Sequence, residues 1–65
     1  MIIGDRIKIA RLARGITQAE LGQRIRLSFK HASSTICQYE NGKHEPSYNV
    51  VKKIARALTF PTVFF

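Results

Sequence analysis

The stretch "TICQYENGKHEPS", Thr35 to Ser47, decides the fold. Read as a helix over 35–41, it places Ile36, Tyr39 and Glu40 on one face at i, i+3 and i+4, with Ser34, Cys37, Gln38 and Asn41 on another. The first face suits a core. The second is polar yet carries no charge, an arrangement suited to hydrogen bonding with a ligand or to plain solvation. Asn41-Gly42 is a helix stop, because glycine adopts the left-handed conformation that closes a helix C-terminus. "KHEP" is then a basic loop, and Ser47 after Pro46 is placed to cap a further helix.

Outward from this stretch the chain reads as helices in both directions. Val51, Ile54, Ala55 and Leu58 repeat at the 3.6 period and mark helix 4. Pro61 suits the first turn of a last short helix, so that "FPTVFF" folds back on the core. Upstream, Ile3, Ile7 and Ala10 mark helix 1 from about Gly4 to Arg14, with Gly15 as its stop. In "TQAEL", Thr17 is an N-cap and Glu20 completes a capping box, which satisfies two otherwise orphan amides at the start of helix 2. Leu21 and Ile25 form its buried stripe, and the helix frays after Arg26. The segment "LSFKHA" holds no Gly or Pro, so Ser28 can cap a helix 3 beginning at Phe29, or Ser33 a shorter one. Nothing reads as a strand or a repeat. The expectation is an all-α domain over residues 1–65, a compact bundle of five short helices around one small core.

Size and charge bound the function. A domain of 65 residues buries only about 60% of the surface its unfolded chain exposes, which favours support from a partner subunit. Eleven Lys and Arg against four Asp and Glu give a net charge of +7, which favours a polyanionic partner. The apolar run from Leu58 to Phe65 falls far short of the roughly 18 residues a membrane span needs, and "MIIGDRIKIA" has no apolar signal core. With the single Cys37, this points to a protein of the cytosol. A membrane-active peptide would need one long amphipathic helix, whereas Gly15, Gly42, Pro46 and Pro61 cut this chain. His31, His44 and Cys37 are too few and too irregularly spaced for a zinc site, and no nucleophile and base set stands out. No enzyme, metal, cofactor or small-molecule ligand is expected.

The order of these signals resembles the helix-turn-helix domains of the phage repressor and Cro type, the XRE-like family. The resemblance rests on Arg11, "GITQAEL" from Gly15 to Leu21, "ICQYENGK" from Ile36 to Lys43, Pro46-Ser47 and "KIARAL" from Lys53 to Leu58. The interval from Thr17-Gln18 to Glu40 is about four residues longer than is usual for such domains, the excess falling at 27–31. Four residues add about one helical turn without rotating the flanking faces out of phase. A longer helix 3 and a looser turn before it both fit.

The resemblance implies a lambda-repressor-like DNA-binding domain, with helix 3 in the major groove of double-stranded DNA and helix 2 across the backbone. Ser33, Ser34, Thr35, Cys37 and Gln38 would then face the bases. Gln38 can pair with an adenine edge, a contact worth roughly 1–3 kcal/mol of discrimination. Gln18, Asn41, Lys43 and His44 would meet phosphates, and Arg24, Arg26 and Lys30 could add contacts near the turn. Glu40 would point inward to pair with Arg11 as a structural ion pair. Phe60, Val63, Phe64 and Phe65 are candidates for a homodimer contact or for covering the core, since relatives commonly bind palindromic operators as dimers. The expected function is a small bacterial or phage transcriptional regulator, a repressor, acting at the nucleoid. The competing reading is a protein-binding module on the same fold, antitoxin-like or coactivator-like.

Overall fold

A computed structural model of the chain describes residues 3–28 and 30–65. Among these residues four α-helices follow in order, α1 Ile3–Ala13, α2 Gln18–Arg24, α3 Ala32–Glu40 and α4 Tyr48–Leu58, and a 3-10 turn, Thr62–Phe64, closes the fold. Among the described residues there is no strand, and no helix is long and apolar enough to cross a membrane. The core is built from every helix and one loop: Ile7 and Ala10 of α1, Ile16 before α2, Leu21 and Ile25, Ile36 of α3, and Ile54 and Leu58 of α4. The spacing of these side chains is the helical period read in the sequence, and their burial supplies the main stabilising term.

Local chemistry explains most boundaries. Thr17 Oγ1 accepts from the Glu20 amide at 3.0 Å, and the Thr17 amide donates to Glu20 Oε1 at 2.9 Å, so the capping box is complete in both directions. Ser47 Oγ accepts from the Val50 amide and starts α4. All four helices end in the same way, with one amide bonded five residues back and its predecessor bonded three residues back around a left-handed residue. Glycine holds that position after α1 and α3, as Gly15 and Gly42. After α2 and α4 it is held by Arg26 (φ 68°) and Thr59 (φ 55°). Glycine alone therefore does not mark these ends.

Four expectations are corrected. Helix 1 ends at Ala13, one residue early, with Arg14 in the turn. Helix 2 ends at Arg24, because Ile25 and the left-handed Arg26 already form its closing turn. The last segment is a 3-10 turn and not a fifth α-helix: Phe64 donates to Pro61 and Phe65 to Thr62, three residues back, while Phe60, Phe64 and Phe65 pack against the core. Helix 3 is capped by neither serine. Ser28 Oγ instead accepts from the Lys30 amide in the preceding turn, Ser33 lies inside the helix, and His31 occupies the N-cap without a side-chain bond. Phe29, where the longer helix would have begun, lies outside the described residues. Residues 27, 28, 30 and 31 thus belong to the connection and not to α3.

Packing sets that start. Ala32 is fully buried, and a Cβ added to Gly22 would lie 2.5 Å from the Ala32 Cβ and 2.8 Å from its carbonyl oxygen. Helix α2 can approach α3 this closely only where a side chain is missing. Gly4 plays the same part for α1, since a Cβ there would collide with the carbonyl oxygen of Tyr39 and come within 2.8 Å of that of Glu40.

Candidate nucleic-acid interface

Helix α3 turns Ile36 into the core, with Tyr39 half-buried and Glu40 buried beside it. The opposite face presents Ser33, Ser34, Gln38 and Asn41 exposed and Cys37 half-buried, while Thr35 sits half-buried at its edge. No charged side chain interrupts this face between His31 and Asn41. Two of its hydrogen bonds are internal. Ser34 Oγ donates to the His31 carbonyl at 3.2 Å, and Asn41 Nδ2 donates to Cys37 Sγ at 3.3 Å.

A buried polar cluster holds the helix at its C-terminal end. Arg11 Nε donates to Glu40 Oε2 at 2.7 Å and Arg11 Nη2 to Glu40 Oε1 at 3.2 Å, a two-pronged pair with side-chain exposures of 10% and 3%. Arg11 Nη1 donates to the Ile16 carbonyl at 2.9 Å, and Gln18 Nε2 donates to Glu40 Oε1 at 3.1 Å. One carboxylate therefore ties α1 and the first residue of α2 to α3, and Arg11 adds the loop before α2 to the cluster. Gln18 gives one amide hydrogen to this cluster, which orients its side chain and leaves one for an external acceptor.

The cations are distributed unevenly. Lys30 lies exposed just before α3, and Lys43 and His44 lie exposed just after it, with their amides bonded to the Gln38 carbonyl. Arg24 is grouped elsewhere: with Arg26, Lys53 and Arg56 it lines a groove floored by Ile25 and Ala57, between the ends of α2 and α4. Two helix C-termini meet there, and cations at such ends complement the helix dipole. Arg24 Nη1 points to the Ala57 carbonyl at 3.5 Å. Of the four C-terminal apolar residues, Phe60, Phe64 and Phe65 are half-buried, whereas Val63 is 92% exposed. The Arg6 guanidinium lies 4.9 Å from the Phe64 ring centre and that of Arg14 lies 4.5 Å from the Phe60 ring centre.

Three residues that shape the site went unnoticed in the sequence. Gly4 and Gly22 set the approach of α1 and α2 to α3, and their signal was available, since a glycine inside a helical pattern costs about 1 kcal/mol against alanine and calls for a packing reason. Arg14 donates from Nε to the Leu58 carbonyl at 2.7 Å and from Nη2 to the Thr59 carbonyl at 3.2 Å, closing the end of α4. No local pattern announces that contact across 44 residues.

The model of a family described as helix-turn-helix matches residues 7–65, nearly the whole chain. No curated protein matches the chain.

Proposed function

The chain belongs to the helix-turn-helix family, and from that premise we propose that it is a transcriptional regulator, a repressor, that binds double-stranded DNA sequence-specifically with α3 in the major groove. The observation that carries this reading is the uncharged, hydrogen-bonding face of α3 set between cationic ends in a chain of net charge +7. Bases are distinguished in the major groove by donors, acceptors and methyl groups, which uncharged side chains match without the indiscriminate pull of a net charge. Phosphates need the reverse, positive charge at the margins.

In this reading Ser33, Ser34, Thr35, Cys37 and Gln38 meet base edges. Lys30, Lys43, His44, Asn41 and Gln18 grip the backbone, and Arg24 adds long-range attraction from its groove. Arg11 and Glu40 act indirectly, as the structural ion pair that stabilises the fold carrying α3. Two copies would bind a palindromic operator, with the exposed Val63 at the contact between them. Repression requires only that the site be occupied, whereas activation asks for a further surface that engages polymerase. The protein would then reside with the nucleoid in the cytoplasm.

Selection of bound sequences from a random duplex library at near-physiological salt tests the proposal. An enriched palindrome is the expected result, and its half-site spacing reports the dimer geometry. Binding without enrichment would leave a nonspecific binder, and absence of binding would favour a protein partner; either result overturns the proposal.

A further inference from the structure

The internal hydrogen bonds of α3 restrict what its exposed face can read. Ser34 Oγ donates to the His31 carbonyl, and while it keeps that bond its hydroxyl meets a ligand as an acceptor. Asn41 directs its amide nitrogen to Cys37 Sγ, which draws that amide back along the helix and satisfies the sulfur. Cys37 is left as a small, soft, largely apolar surface. Gln38 makes no side-chain hydrogen bond among the described residues and is exposed, so its amide offers one acceptor and two donors to a partner. Ser34 is three residues from Cys37 and four from Gln38, so the three side chains adjoin on one patch of the helix.

Guanine presents two acceptors in the major groove and is bound by the two-pronged donors of Arg or Lys. Adenine presents an acceptor beside a donor and is matched by an amide, and thymine presents a methyl group. Between His31 and Asn41 there is no Arg or Lys. We infer that the base pairs read by Gln38 and Cys37 are A·T, with Gln38 on adenine and Cys37 against a thymine methyl, while Ser34 accepts from an amino group of adenine or cytosine. The inference rests on the proposed docking of α3 and names the chemistry of its target.

Two variants on the exposed face and one base analogue test it. Selection with the unaltered chain should enrich A·T at the central contacted pairs of each half-site. Gln38→Arg should convert the adenine preference at one position into guanine, with a change in relative affinity on the order of tenfold. Uracil in place of the contacted thymine removes one methyl group and should weaken binding about fourfold. Cys37→Ser should abolish that sensitivity to uracil. An enriched operator whose pairs at these positions are G·C, or in which Gln38→Arg shifts no base preference, would overturn the A·T assignment while leaving DNA recognition by α3 intact. An unenriched pool would overturn both.

Discussion

At the scale of single residues, the buried ion pair fastens α1 to the proposed reading helix and so stabilises the fold that carries it. Glu40 accepts from Arg11 twice and from Gln18 once, so removing Arg11 leaves a carboxylate with 3% side-chain exposure holding a single neutral donor. Breaking one side of such a pair costs about 3–5 kcal/mol, a large share of what a small domain has. Arg11→Ala should therefore lower the melting temperature steeply in a thermal unfolding scan. It should change DNA affinity per folded molecule much less, since Arg11 faces Glu40 and the Ile16 carbonyl. Glu20 offers a milder test by pH. The Thr17 amide, then the Thr17 hydroxyl, hold its carboxyl below the ordinary value of 4.5; desolvation opposes them, and Arg24 adds the smallest lowering effect. A carboxylate whose folded value lies below its unfolded one contributes stability above the unfolded value and loses it as pH falls through the folded one. Glu20→Gln keeps a capping side chain but cannot titrate, so the decline of melting temperature below pH 4.5 should become shallower.

At the scale of elements, the helices are joined by close approaches and ended by shared turns. Gly22 lies where α2 meets α3 at Ala32. Replacing glycine by alanine in an open helix gains about 1 kcal/mol, but here the new Cβ meets backbone and a buried methyl, where overpacking costs about 1–3 kcal/mol. Gly22→Ala should thus lower the melting temperature, while Gln23→Ala, exposed one position on, should leave it nearly unchanged. Thr59 poses the opposite case, a β-branched residue in the left-handed position that ends α4. The steric penalty there is about 1–2 kcal/mol, and glycine returns part of the gain through the greater freedom of the unfolded chain. Thr59→Gly also gives up the bond from Thr59 Oγ1 to the Leu58 carbonyl but keeps the backbone turn and both Arg14 contacts. A rise of a few degrees in melting temperature is expected, and a fall would mean that the hydroxyl bond outweighs the strain.

At the scale of the whole molecule, the chain has little core to spare, so the placement of its C-terminal apolar residues separates folding from assembly. Phe60, Phe64 and Phe65 pack on the core, whereas Val63 faces solvent at 92% exposure. Val63→Asp should leave the melting temperature of the free chain nearly unchanged and reduce binding to a two-half-site duplex more than to a single half-site, as read by gel mobility or fluorescence anisotropy. Equal losses on both duplexes would place the dimer contact elsewhere. The sequence by itself determined the features whose causes lie within a turn or two of chain: the period of the buried stripes, the Thr17 and Glu20 capping box, the Ser47 cap, the Gly15 and Gly42 stops, and the uncharged face of α3. Its order of motifs also carried the family. Only the tertiary structure decided where α3 begins, because Ala32 must seat against Gly22 and "LSFKHA" holds no local signal strong enough to set that point. The same holds for the separation of Arg14 and Arg24, directed to the α4 carbonyls, from Lys30 and Lys43, left at the ends of α3. Side-chain type and spacing fix which face of a helix is buried, but which distant backbone a long cation reaches is set by the packing of helices far apart in sequence.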